Sequence, residues 1–71
     1  MKQIGIHTEF IKLQDVLKLS QAVDSGGEAK VFITEGQVLV NGEVCLQRGK
    51  KLRPGDVVTF SGQQYCVCDE N

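Results

Sequence analysis

The chain opens on an alternation of apolar and polar positions. Ile4 and Ile6 alternate with small or polar residues, which predicts a strand over residues 3–7 with one buried face. Residues 9–11 form a second, shorter extended candidate. Both segments precede a change in the spacing of the apolar positions.

From Lys12 onwards, the apolar spacing becomes helical. Three apolar positions follow at i, i+3 and i+4, as on one face of a helix: Leu13, Val16 and Leu17. The pattern predicts a helix that ends near Ser20 or Gln21, with Asp15 and Lys18 in solvent. A three-residue connection, Ala22-Val23-Asp24, then leads to the next element.

A second helix is predicted to begin after Ser25. Ser25 and Glu28 have the spacing of a capping box, in which each side chain accepts the backbone N–H of the other residue. Three apolar positions form its buried stripe: Ala29, Phe32 and Ile33. Gly36 is placed to end the helix in a left-handed conformation.

The second half of the chain has the pattern of strands and tight turns. Residues 37–40 and 43–46 flank Asn41-Gly42, a pair that favours positive φ at both turn positions of a hairpin. Residues 48–51 are predicted to form a loop, and Pro54-Gly55 suits a type II turn. Two further strands are predicted around a turn at Ser61-Gly62: residues 56–60 and 64–68. The order predicts an α+β fold, with two packed helices against a small twisted, mainly antiparallel sheet.

Length and composition agree with one small globular domain over residues 1–71. The 71 residues are 41% hydrophobic and 24% charged, which is ordinary for such a domain. No apolar run approaches the ~20 residues that cross a bilayer, and the first residues lack the apolar core of a signal peptide. We therefore expect a cytoplasmic protein with no membrane partner.

Charge is unevenly distributed, although the net charge is only −1. Residues 44–55 carry four basic side chains and no acid, whereas the rest of the chain carries four basic and nine acidic residues. A +4 segment thus stands against a −5 remainder. Because distant charges are screened over about 8 Å at physiological salt, such a segment can still bind an anion.

The sequence offers no constellation for catalysis or for a metal site. Three cysteines are an odd number, which argues against a disulfide framework. Cys66 and Cys68 lie two apart on a predicted strand, and with Cys45 we expect them to be buried or half-buried thiols. His7 has no nucleophile or carboxylate pair at a catalytic spacing. We therefore predict neither enzymatic activity nor a cofactor.

Residues 12–58 resemble the S4 RNA-binding domain, whose fold contains the αL motif. The resemblance rests on short motifs in a fixed order: Lys12-Leu13 with Leu17, Ser25 with Ala29 and Ile33, Glu35-Gly36, Val38-Leu39-Val40-Asn41-Gly42, and Pro54-Gly55-Asp56-Val57. The run Ser25-Gly26-Gly27-Glu28-Ala29-Lys30 is most similar to small stand-alone bacterial S4-like proteins. Gly26 stands where other family members have an arginine, so one phosphate contact of the family is missing or has moved, for example to Lys30.

The resemblance implies an RNA-binding module that contacts structured RNA through phosphates. The candidate RNA-binding residues are the following: Lys12, Ser25, Gly26, Gly27, Lys30, Arg48, Lys50, Lys51 and Arg53. Ribosomal or transfer RNA, alone or with ribonucleoprotein components, is the implied partner of a monomeric protein. Few aromatic residues are present, so recognition by shape and phosphate is favoured over the reading of single-stranded bases.

Two alternatives remain open for these residues. The acidic remainder and the missing arginine also fit an S4-shaped protein-interaction module that has lost RNA binding. Locally, Ser25 and Glu28 can form a plain helix cap, in which Glu28 would repel phosphate. The basic loop can likewise be a solvated charge run that protects a sheet edge.

Overall fold

The computed structural model describes residues 1–70. Nine short elements follow one another along the chain: β1 (Lys2–Ile6), β2 (Ile11–Lys12), α1 (Leu13–Leu19), α2 (Gly26–Thr34), β3 (Val38–Val40), β4 (Glu43–Val44), β5 (Lys51–Leu52), β6 (Val57–Phe60) and β7 (Gln63–Asp69). The predicted single domain includes Asn71, which lies outside the described residues.

Five strands form one sheet in the order β1-β7-β6-β3-β4, and β2 pairs with β5 in a second, two-stranded sheet. All pairings are antiparallel except that of β1 with β7. The parallel pair joins the two ends of the chain, with Ile4 opposite Val67. The predicted α+β fold with two helices and a mainly antiparallel sheet is thus confirmed.

The core lies between the two helices and one face of the large sheet. Fully buried side chains from the two helices meet those of the sheet: Leu13, Val16, Leu17, Ala29 and Ile33 against Val38, Val58 and Val67. Phe32 packs on this core with its ring centroid 5.0 Å from that of Phe60. Burying these apolar side chains is the main stabilising contribution to a fold this small.

Within residues 1–70, both helices pack on one face of the large sheet, and the other face carries no helix. Because side chains alternate across a strand, residues next to the buried positions point to this outer face. Gln3 and Gln64 are exposed there, and Leu39, Cys66 and Cys68 are half-buried. Cys45 is also half-buried and packs against the core, and all three cysteines are free thiols as predicted.

Asn41 and Asp56 connect the β3–β4 turn to the start of β6. Asn41 has φ +52° and Gly42 φ +85°, as predicted for an Asn-Gly turn. The Asn41 side chain donates to Asp56 Oδ1 over 3.1 Å and accepts from the Val57 N–H over 2.9 Å. Asp56 Oδ2 also accepts from the Arg53 N–H over 2.8 Å. One polar network therefore holds two turns that are distant in sequence.

Several element bounds differ from those predicted. The extended segment expected at residues 9–11 is paired only at Ile11, and Lys12 continues it as a strand. Lys51, predicted as part of a loop, lies in β5 together with the fully buried Leu52. The strand expected over residues 43–46 ends at Val44, because its pairing with β3 covers only two residues.

Candidate nucleic-acid interface

The basic loop, residues 48–51, is fixed to the start of α1 through its backbone. The N–H groups of Leu13 and Gln14 donate to the carbonyls of Lys50 and Arg48, over 2.9 and 3.1 Å. The first N–H groups of a helix have no partner within the helix, so these carbonyls supply one. The loop is thus positioned by its main chain, while the side chains of Arg48 and Lys50 remain exposed.

Pairing of β2 with β5 places two lysines opposite each other. Lys12 is the register partner of Lys51, and the adjacent pair is Ile11 with the fully buried Leu52. Leu52 anchors the pair in the core, which leaves both lysines exposed. The Lys51 ammonium lies 4.8 Å from the ring centroid of Phe10, within the range of a cation–π interaction.

A concavity of about 520 Å³ follows the exposed side of α1. Its walls come from the segment before the helix and from the helix itself: Thr8, Phe10, Ile11, Lys12, Asp15, Lys18 and Leu19. Lys18 lies at the far end and forms an ion pair with Asp15 over 3.3 Å. This ion pair is partly exposed and leaves other ammonium protons of Lys18 for a ligand.

Lys18 also reaches the first turn of α2. Its Nζ lies 4.0 Å from the position that a Cβ would occupy on Gly26. A Cβ on Gly27 would meet only the Ser25 hydroxyl, at 3.9 Å. Since both distances are ordinary van der Waals contacts, protein packing does not require a glycine at either position. The backbone of this turn is therefore open to a close approach from solvent.

The cap at the start of α2 differs in one contact from the predicted capping box. Ser25 Oγ accepts from the Glu28 N–H over 3.2 Å, as predicted. Glu28 Oε1 accepts from the Asp24 N–H over 3.4 Å, rather than from that of Ser25. The carboxylate consequently reaches one residue further back, and it adds a negative charge to the helix turn that contains Gly26 and Gly27.

Five of the cations lie on segments that contact one another from the basic loop to the start of α2. We call this set the basic strip: Arg48, Lys50, Lys51, Lys12 and Lys18. It begins at the loop, crosses the β2–β5 pair, continues along α1 and ends at Gly26. Through its contacts with both, α1 thereby connects the predicted loop residues with the predicted residues at the start of α2.

The remaining cations relate differently to this strip. Lys30 lies one helical turn after Gly26 on the same face of α2, and its side chain is exposed. Arg53 Nη2 lies 4.0 Å from a carboxylate oxygen of Glu9 in an exposed pair. Lys2 donates to the Ser20 carbonyl at the end of α1, over 3.4 Å.

Two residues of this surface were missed or ranked low by sequence reasoning. Lys18 is in the last turn of α1, where a lone lysine is indistinguishable from any solvated one. Phe10 precedes the helix, where an aromatic residue is as easily a core residue. No sequence signal singles out Lys18, because positions six residues apart are separated by about 120° around a helix.

Residues 1–70 contain no group of three or more His, Cys, Asp or Glu side chains that could hold one metal ion. Within the same range, neither helix combines the length and the apolar character that crossing a bilayer would need. His7, predicted to be an exposed strand residue, follows β1 and is exposed, with its Nε2 3.1 Å from a carboxylate oxygen of Glu70.

Known proteins resemble this chain over most of its length. A family model for the S4 domain matches residues 4–68. A Bacillus subtilis (strain 168) protein, named probable ribosome maturation protein RlbA, is 51% identical over 59 residues, which are 83% of each chain. The Escherichia coli (strain K12) protein YbcJ is 42% identical over 64 residues, 90% of each chain.

A solved structure supports the same grouping at the level of the fold. The solution structure of YbcJ from E. coli has a TM-score of 0.74 to this chain at 35% sequence identity. The match covers 96% of this chain and 87% of the other. That structure is described as containing an αL motif involved in RNA binding.

Proposed function

The chain belongs to the S4 domain family, and from this membership we propose that it binds structured RNA through the basic strip. The segments that carry the strip contact one another from the loop to the start of α2, and this single observation carries the proposal. Its cations belong to four segments that the fold brings together. Phosphates of a folded RNA, spaced along a curved backbone, fit a ligand surface of this kind.

Phosphate contact, rather than base reading, dominates this recognition. The side chains of the strip are lysines and one arginine, which bind phosphate as point charges and as a planar fork, respectively. Gly26 and Gly27 add a helix start where a phosphate oxygen can approach the backbone N–H groups. Lys30 and Arg53 extend the surface on either side. The acidic remainder of the chain lowers non-specific attraction and leaves the strip as the preferred contact.

Ribosomal RNA is the structured RNA that we propose as the partner. One relative bears the name of a ribosome maturation protein, and another has a structure described as an RNA-binding motif. We further propose that the protein acts in the cytoplasm as a monomer without catalytic activity. Its role is then to hold or to recognise a helical or junction region of the RNA.

The test compares two double variants with equal net charge. Lys50→Gln/Lys51→Gln and Gln3→Glu/Gln64→Glu both change the net charge from −1 to −3. The first removes two cations of the strip, and the second adds two acids on the outer face of the large sheet. Binding to ribosomal RNA fragments is measured by fluorescence anisotropy at low salt, and folding of each variant by thermal unfolding.

The loop variant is expected to lose most of its affinity, whereas the sheet variant keeps it within about twofold. Equal losses in the two variants would mean that net charge alone drives binding and that the strip is not the site. If the unmodified protein retains no RNA while a protein partner co-purifies with it, an S4-shaped protein-interaction module replaces the proposal.

A further inference from the structure

In the described part of the chain, Phe10 is the one phenylalanine that does not pack against the core. Phe60 is buried, and Phe32 packs against it with tilted rings, so both have a structural role. Phe10 is half-buried and lies among charged neighbours instead. The exposed part of the Phe10 ring is therefore available for contact with a ligand.

The surroundings of Phe10 combine an apolar wall with cations. The ring lines the concavity beside α1, which has room for about 520 Å³ of ligand. Lys12 and Lys18 line the same concavity, and Leu19 adds an apolar side chain that is 61% exposed. Lys51 holds its ammonium 4.8 Å from the ring centroid. A ligand that fits must therefore offer a flat apolar face with negative charge beside it.

We propose that Phe10 is a stacking platform for one unpaired nucleobase of the bound RNA. This inference rests on the proposed RNA-binding function and specifies the kind of RNA. A nucleobase supplies the flat face, and its flanking phosphates meet the three lysines around the ring. Stacking on an aromatic side chain tolerates any base, because every base has a π face. The ligand is thus an RNA helix with a bulge or junction, rather than an uninterrupted duplex.

The concavity favours a base over a phosphate alone. A phosphate bound to the lysines would need neither the ring nor the exposed side chain of Leu19. Asp15 is already paired with Lys18, and the concavity has three apolar lining residues: Phe10, Ile11 and Leu19. Burying a base there removes apolar surface of both partners from water.

Tryptophan fluorescence provides a direct readout, since the chain contains no tryptophan. Phe10→Trp places the only indole in the concavity, and Gln64→Trp places it on the outer face of the large sheet as a matched control. Both variants are titrated at low salt with a short RNA duplex and with the same duplex carrying a single bulged adenosine. Phe10→Leu, which keeps an apolar side chain, is titrated against the same two RNAs by anisotropy.

We expect the bulged RNA to quench the fluorescence of the Phe10→Trp variant and to leave that of Gln64→Trp unchanged. Phe10→Leu should bind the bulged RNA about tenfold more weakly than the unmodified protein, with its affinity for the plain duplex unchanged. RNA binding without quenching, or an equal loss for both RNAs, would overturn the stacking role while leaving the basic strip in place. Failure of the unmodified protein to bind either RNA would remove the proposed function itself.

Discussion

The backbone N–H of Leu13 donates to the carbonyl of Lys50 across 2.9 Å. This bond joins the start of α1 to the basic loop, although the two residues are far apart in sequence. The loop therefore owes its position to main-chain atoms, which every residue has whatever its side chain. Side-chain substitutions in the loop should change binding and leave the helix intact, and this separation makes the surface suitable for mutational tests.

We expect the Leu52 side chain to stabilise the β2–β5 pair, which carries part of the basic strip. It is fully buried and is the only core side chain of β5, so Leu52→Ala leaves a cavity beneath the β2–β5 pair. Such truncations cost about 2–5 kcal/mol of unfolding free energy. Leu46→Ala is the matched control, because Leu46 is 59% exposed and should cost less than about 0.5 kcal/mol. Urea unfolding of both variants measures the difference, and equal effects would contradict the burial of Leu52.

Binding should weaken steeply as salt increases. If three or four phosphates are contacted, the plot of log affinity against log salt has a slope of about −2 to −3. Anisotropy titrations with one RNA fragment over a range of potassium chloride concentrations give this slope. Lys51→Gln should reduce its magnitude by about 1. A slope near zero would indicate an interface that does not depend on phosphate.

The turn at Asn41 provides a test of two separate contributions to stability. Asn41→Gly keeps the positive φ at no steric cost but removes the hydrogen bonds to Asp56 and Val57. Asn41→Ala removes the same bonds and also strains the backbone. We expect a loss of about 1–2 kcal/mol for the glycine variant and a further ~1 kcal/mol for the alanine variant. Thermal or urea unfolding would refute this order if alanine were the milder change.

Much of the fold follows from local patterns in the sequence. The helical spacing from Leu13 to Leu17, the Ser25 cap and the Asn41-Gly42 turn each depend on residues within a few positions of one another. Each is therefore readable from one segment, and the structure has all three. Gly36, with φ +79°, ends α2 as its position predicted.

The features that sequence reasoning missed depend on distant residues. β5 has only two residues, so it shows no period, and Leu52 could not be distinguished from a loop leucine. The parallel pairing of β1 with β7 joins the two ends of the chain, and no local pattern specifies it. Within the candidate site, the loop cations could be predicted because four basic residues and no acid lie within residues 44–55. The proximity of Phe10 and Lys18 could be recognised only from the structure, because the concavity they share is lined by β2, by α1 and by the segment before them.

Replacing Gly26 by alanine should change the stability of the protein and its RNA affinity in opposite directions. Its backbone is helical and a Cβ would fit, so Gly26→Ala should stabilise the protein by about 0.4–1 kcal/mol. The same methyl group stands where a phosphate would approach the helix start, and RNA affinity should fall. Gly36→Ala is the contrast, since its positive φ makes alanine destabilising. A Gly26→Ala protein that is more stable and binds RNA equally well would exclude this turn from the interface.

Glu28 is the acid in the first turn of α2, where the phosphate is proposed to bind, and its removal should improve binding. Glutamine keeps the side-chain oxygen that accepts the Asp24 N–H, so Glu28→Gln preserves the cap and removes only the charge. Losing the favourable interaction of the carboxylate with the helix dipole costs about 0.3–1 kcal/mol of stability.

The expected gain in RNA affinity for Glu28→Gln is up to about fivefold at low salt, which corresponds to about 1 kcal/mol for one charge at close range in water. Glu35→Gln is the control, because Glu35 lies at the other end of α2, about 10 Å along the helix, where one charge in water contributes only about 0.4 kcal/mol. Anisotropy titrations compare the RNA affinities of the two variants. An unchanged or weaker affinity for Glu28→Gln would mean that RNA does not approach this helix start, and the interface would then be confined to the loop and α1.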